Sequence, residues 1–389
     1  MPAFEKHIAL SIGTSVGLFT ISTTSNSYVE PAFPSYVLID TSKYTGGTYY
    51  YEAVIKTSAA TGYATLWDNT AAAAVSGAEI TTTSTSVVRV RSGSLTLTSG
   101  NIFTDRIKND GSNTTTFYGG RVVVEQNAET IVNTETQALV FAYNTQTTTS
   151  SSFTDIATIG MCFYLHTDAN WDGTQTRYFE ATMKTSAATG YANLSTVADS
   201  AVASSEVSTT STSFIRVRSG AITLVNATVY KAMFKNDGSN TTSLNSARII
   251  IQQSASPTKS EAYNPASIVT FAFSATAGTF GDTLGRFYYD STKWTADTIS
   301  WYAEYSRNSG TSSGVLEMYN ITSAVRTIGS NVTTAVDTTR QRSGALTMPT
   351  TQNMTFRGDS QSNTIYPSVS HLIAVLVWTN KPSNFFLMF

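Results

Sequence analysis

Most of the block that begins KTSAATGYA at Lys56 and closes with KNDGSNTT at Lys108 occurs twice. KTSAATGYA returns at Lys184, RVRSG at Arg89 returns at Arg216, and KNDGSNTT returns at Lys235. The order is kept and the spacing between landmarks hardly changes, which is the mark of a duplicated fold and not of a duplicated peptide. A diverged third copy follows, with RQRSGALTM from Arg340 standing for RVRSGAITL and TFRGDSQSNT from Thr355 standing for MFKNDGSNTT. The 389 residues therefore divide into three tandem units, each of about 120 residues, an ordinary domain size. Polar connectors at 127–137 and 254–265 place the domains at 1–130, 131–258 and 259–389.

Within each unit the apolar pattern has a period of two, as a half-buried strand requires. In YYYEAVIK, Tyr51, Ala53 and Ile55 read as inward while Glu52 and Lys56 read as facing water. Phe179, Ala181 and Met183 repeat this in the second copy, and Trp301, Ala303 and Tyr305 in the third. VVRVRSG sets Val88 and Val90 against Arg89 and Arg91, and Ile215 and Val217 against Arg216 and Arg218. The third copy departs here, with Gln341 between Arg340 and Arg342. The Ala-rich passage AAAAVSGAEI reads as strand, turn and strand, because its counterpart STVADSAVASSEV lacks helical periodicity. Asn-Asp-Gly in KNDGSNTT tolerates positive φ and predicts a tight turn between strands. About eight short strands per unit and no helix predict an all-β protein of three tandem β-sandwich domains of jelly-roll type.

Composition excludes several classes of function. A net charge of −2 with no Lys/Arg tract argues against a nucleic-acid surface. The longest apolar run, LIAVLVW from Leu372, is far too short to enter a membrane as a spanning helix. Cys162 is the single cysteine, so no intramolecular disulfide and no cysteine-based metal site is expected. The N-terminus shows no cleavable secretory signal, which predicts synthesis in the cytoplasm.

Candidate sites are few. DANWDG from Asp168 has the start of a calcium loop but Phe179 at the twelfth place, and the equivalent loops KYTGG and KWTAD keep only an aromatic residue. Hairpin loops anchored by Tyr44, Trp171 and Trp294 fit better; the same rings, together with Tyr63, Trp67 and Tyr191, are the candidates for stacking on a sugar. RGD at Arg357 reads as part of a turn. The arginine pairs read as partners of Glu52 and Glu180 across a solvated sheet face. His7, His166 and His371 lie in strand-like runs and read as structural. No phosphate loop, GxSxG or HExxH is present, so neither an enzyme nor a cofactor is expected. The chain ends in Phe385, Phe386, Leu387, Met388 and Phe389. Left in water these would form an apolar patch, so packing on a neighbouring domain or subunit is expected. At about 25 cal/mol per Å2 such burial contributes several kcal/mol.

The repeated succession of strand, Y-N-x-T or similar turn, AVSGSEV-like passage, TTSTSxxRVRSGxLTL and a closing RVVVEQ or RIIIQQ strand resembles the tandem jelly-roll domains of phage and other virus virion proteins. The resemblance implies a structural role as a head decoration, fibre or tail component, acting through homo-oligomeric interfaces. Copies of itself and other virion proteins would be the partners, and the virion or an extracellular assembly the location. It carries over no functional residue. The alternative is a multivalent carbohydrate-binding or adhesive module protein, whose weak sites gain avidity by linkage to host surface glycans.

Overall fold

The computed structural model describes residues 3–12, 21–31, 36–127, 130–156, 163–238, 240–267, 281–294, 296, 298–310, 314–327, 332–334, 339–360 and 365–377. Cys162 and the five C-terminal residues Phe385 to Phe389 lie outside them, as do the side chains of Tyr305, Gln341 and His371.

Three antiparallel sandwiches follow one another, each of two sheets. In domain 1 one sheet has the order β1 (Ala3–Ile12), β10 (Thr115–Asn127), β4 (Thr48–Thr57), β8 (Val88–Arg91), with β2 (Ile21–Thr23) also on β10. The other has the order β3 (Val37–Ile39), β9 (Asn101–Asn109), β5 (Gly62–Asp68), β6 (Ala73–Ala74), with β7 (Ile80–Thr82) also on β5. The chain crosses between the sheets and its last strand returns beside its first, the winding of a jelly roll. The Ala-rich passage supplies β6, a turn and β7.

Domain 2 repeats the order with β11 (Thr134–Thr148), β19 (Thr242–Ser254), β14 (Thr174–Thr185) and β17 (Ile215–Ile222). Its facing sheet has β12 (Thr154–Asp155), β18 (Thr228–Asn236), β15 (Gly190–Thr196) and β16 (Val207–Thr209), with β13 (Tyr164–His166) on β18. Domain 3 has β20 (Lys259–Ser267), β28 (Ile365–Val377), β22 (Thr298–Gly310) and β26 (Thr339–Arg342) in one sheet. In the other are β21 (Gly281–Tyr289), β27 (Gln352–Ser360), β23 (Gly314–Asn320) and β24 (Val325–Arg326), with β25 (Val332–Thr334) on β23. The protein is thus all-β, three tandem sandwiches of one topology. No helix among the described residues is long and apolar enough to cross a membrane.

The period-two reading holds for the central strands, while Val90 and Val217 are half-buried against their cores and Ile215, at the start of β17, is exposed and not inward. Tyr51, Ala53 and Ile55 lie in the first core, Phe179, Ala181 and Met183 in the second, and Trp301 and Ala303 in the third. The RGD sequence, by contrast, is not in a turn: it lies within β27, paired with β23, and the Arg357 guanidinium sits 4.1 Å from the Tyr319 ring centroid. β27 runs on to Ser360, with Asp359 and Ser360 paired to Val315 and Gly314, whereas its counterparts in the first two domains end at Asn109 and Asn236.

The two verbatim repeats meet at one end of each sandwich and explain each other. Asn109 is buried, its Nδ2 donating to Thr115 Oγ1 at 3.0 Å and Thr57 Oγ1 at 3.3 Å, while its Oδ1 accepts from Gly111 N at 3.2 Å. Asp110 Oδ1 accepts from Thr61 N at 3.0 Å. Asn236, Thr242, Thr185, Gly238, Asp237 and Thr189 form the same network in domain 2. The two hairpins are therefore clamped by one amide, which restricts both peptides. Asn109→Ala leaves the Gly111 N–H and two buried hydroxyls without this partner and is expected to cost about 1–3 kcal/mol in urea unfolding. Asp110→Ala, on an exposed residue, should cost clearly less.

Candidate functional site

Several of the buried charged residues, among them Glu5, Lys6, Arg121, Glu135 and Glu261, lie where the domains meet. After β3, β13 and β21 comes a three-residue 3-10 turn: Thr41–Lys43, Asp168–Asn170 and Ser291–Lys293, each followed by one of the three equivalent aromatics. Asp40 and Asp290 cap the first and third through Ser42 N and Thr292 N, and Tyr44 and Trp171 close theirs with a backbone N–H. Each turn rests on the first strand of the next domain, and the last rests on domain 1. The order is cyclic, so the three sandwiches close into a ring.

At the first joint Tyr44 Oη donates to Glu135 Oε1 at 3.2 Å, and Thr45 N and Asn133 O pair at 3.2 Å. Gln126 Nε2 bridges the carbonyls of Thr45 and Asn133, and Gln137 Nε2 donates to Leu38 O. At the second joint Asn170 Nδ2 donates to Glu261 Oε1. Gln253 Nε2 bridges the carbonyls of Asp172 and Lys259, repeating the role of Gln126. The Asp172 carboxylate accepts from the backbone N–H groups of Thr258 and Lys259 and from Thr258 Oγ1. At the third joint Lys293 Nζ donates to Glu125 Oε2 at 2.9 Å, Arg121 Nη2 donates to Arg286 O at 2.8 Å, and Arg89 lies 4.7 Å from the Tyr288 ring centroid.

The first strands β1, β11 and β20 come together at the centre. Glu5, Glu135 and Glu261 stand near the start of each and are all buried. Phe4, from domain 1, is buried among Tyr289, Trp294, Trp301 and Met354 of domain 3. Lys6 enters from one strand only: its Nζ donates to Thr136 Oγ1 at 2.5 Å, to Ser260 Oγ at 2.9 Å and to Glu261 O at 2.5 Å. Three N–H donors meet three acceptors, two of them on domain 3 and one on domain 2. Burial lowers the Lys6 pKa from 10.5 to about 7, against the pull of Glu261 and Glu135.

Around this centre lies a second layer of charge. Glu52 is 0% exposed and faces Arg91 Nε at 3.0 Å, Arg89 Nε at 3.2 Å and Arg121 Nε at 3.5 Å. Burial opposes ionisation of Glu52, but Arg89, Arg121 and Arg91 together hold its carboxyl below the usual range. Burial likewise opposes ionisation of Glu5, yet the His7 hydrogen bond and charge and the Arg91 guanidinium hold it at about 2. In domain 2, Arg218 Nε donates to Glu180 Oε2 at 2.9 Å and Arg216 also pairs with that carboxylate. The expected partners are thus correct and the expected surroundings are not. Glu52 and Glu180 do not face water, because the sheet face that carries them is covered by the neighbouring domain.

Tyr44, Trp171 and Trp294 are 1%, 5% and 8% exposed. A buried ring offers no face to a sugar, so these three are part of the sandwich cores and do not serve as stacking platforms. The acids of DANWDG are likewise engaged: Asp168 accepts from His166 Nε2 at 2.8 Å and Asp172 clamps the connector. Among the described residues no group of three His, Cys, Asp or Glu side chains is arranged to hold a metal ion. His7 and His166 are buried, paired with Glu5 and with Tyr164 and Asp168. A hollow of about 570 Å3 lies between Thr24–Asn26 and Asp110–Ser112 at the clamped end of domain 1, with Asp110 as its single ionisable group. Sequence reasoning passed over Lys6, Glu5, Glu135 and Glu261. The available signal was a glutamate recurring near the head of the first strand in all three copies.

Fold and joints together define an all-β protein whose three jelly rolls form a closed ring sealed by buried charge. No protein-family model matches the chain, and no curated protein matches it. Similar solved structures include a tandem CBM22 domain from Paenibacillus barcinonensis, 10% identical over 63% of this chain and 91% of that one, with a TM-score of 0.21. The Sulfolobus Turreted Icosahedral Virus structure is 10% identical over 94% of this chain and 91% of that one, TM-score 0.20. An infectious bursal disease virus particle protein is 8% identical over 96% of this chain and 77% of that one, TM-score 0.21.

Proposed function

We propose that the protein is a structural component of a virion or a comparable extracellular assembly, a decoration, fibre or tail element that acts through surfaces presented to copies of itself and to other assembly proteins. The observation that supports this most is the use made of its charged residues. Glutamates, arginines and a lysine are withdrawn from solvent and spent on fixing three sandwiches in one arrangement, which serves shape and not turnover. The ring also covers the strand edges of β1, β11 and β20, edges that would otherwise invite unplanned pairing. Virus capsid domains are among the recurrent uses of the jelly roll.

The apolar tail from Phe385 to Phe389 is the proposed contact with a neighbour. Light scattering on purified full-length protein should show concentration-dependent association that is lost when residues 385–389 are removed. A lone monomer in both samples would end this reading. Glycan binding is the second reading, favoured by Tyr63 and Trp67, which stand partly exposed on the outer face of β5. Lys108 and Arg106 already lie 4.5 and 4.6 Å from these ring centroids, which places this reading second. It requires binding on a glycan array that Trp67→Ala abolishes.

A further inference from the structure

The three joints are built alike, but only two are spanned by the chain. The joint between domain 3 and domain 1 has no covalent link; it is held by Lys293 on Glu125, Arg121 on Arg286 O, Arg89 over Tyr288, and Phe4 and Lys6 reaching into domain 3. It is also heterologous: the face that domain 3 presents differs from the face that receives it. Such faces complement each other whether they belong to one chain or to two.

The connector that would have to move is under strain. Ala255 and Ser256 both adopt left-handed backbone, with φ of 61° and 59°, and Pro257 follows directly. Two successive residues bearing side chains are disfavoured there, and a residue before proline is restricted further. The turn is kept by the Asp172 clamp on Thr258 and Lys259 immediately after it. Extending residues 254–257 would relieve the strain, and a short strained hinge favours exchange of the domain it carries.

We propose that domain 3 is exchanged between molecules. The domain 3 of one chain docks on domains 1 and 2 of a second copy through the contacts that close the ring, with the connector extended between them. This rests on the reading of the chain as an assembly component and names its partner as another copy of the same chain.

The test mixes nitrogen-14 and nitrogen-15 wild-type protein at high concentration in mild urea, removes the urea, and weighs the products by native mass spectrometry. Mixed-isotope dimers in binomial proportion are expected. Ser256→Gly removes the penalty at one left-handed position and should lower the dimer yield about tenfold, with the circular dichroism of its monomer unchanged. Absence of mixed dimers from the wild type, or a yield indifferent to Ser256→Gly, overturns the proposal. A parallel sample carries Glu125→Cys and Lys293→Cys in a Cys162→Ser background, cross-linked within one chain by a bifunctional maleimide. If this locked ring associates as the wild type does, exchange is refuted and the structural reading stands; if neither associates, both fall.

Discussion

Glu52→Ala should lower the stability of domain 1 by about 3–5 kcal/mol, because it leaves the buried Arg121 and the half-buried Arg89 and Arg91 without the carboxylate they share. Arg91 keeps Glu5 at 2.9 Å and Glu125 at 3.3 Å, so the loss falls mainly on Arg89 and Arg121. Those two also bind domain 3, through the Tyr288 ring and Arg286 O, and the change is therefore expected to loosen the third joint as well. Urea unfolding gives the measurement, with the midpoint falling in proportion to the lost free energy. Glu79→Gln is the control: its pair with Lys108 at 3.2 Å is exposed and contributes about 0–1 kcal/mol. Equal effects from the two substitutions would show that the buried network does not hold the ring.

The second large effect is a pH dependence centred on Lys6. Its amine titrates at 10.5 in the unfolded chain and at about 7 in the ring. Between those values the unfolded chain binds more protons, so stability rises with pH across the window and the Lys6 contribution is least favourable below pH 7. At roughly 1.4 kcal/mol per pKa unit the total is several kcal/mol. Other groups titrate in the same range, so the quantity to plot is the difference between wild type and Lys6→Met in urea unfolding from pH 6 to pH 10. It should be flat below pH 7 and slope through the window above it; parallel profiles would remove Lys6 from the account. At the acid end Glu5, held at about 2, contributes stability that is lost as the pH falls from the ordinary carboxylate range toward that value.

The sandwiches were legible because a sheet with one buried face alternates. Tyr51, Ala53 and Ile55 and their counterparts announce which side is core, and the repeated peptides announce how many times the core is made. The joints were not legible, for a physical reason that Thr134–Gln137 makes plain. That run is wholly polar and reads as a connector, yet it is the opening of β11 and all four residues are buried. Its burial is against other domains through hydrogen bonds, so it leaves no apolar period. Ser260 and Glu261 at the head of β20 misled in the same way, and so did Glu52, whose alternation correctly placed it outside the sandwich but could not show what lay beyond.

The solitary lysine at the centre has a meaning for the history of such a molecule. Three separate identical subunits meeting about an axis would have to bring three lysines to one spot or none, and mutual repulsion would forbid the first. Joining the subunits into a single polypeptide lifts that restriction, since Thr136 and Ala262 occupy the register positions equivalent to Lys6 in the other two first strands. Covalent fusion thereby turns a place where symmetry permits only compromise into one where each position is free to specialise.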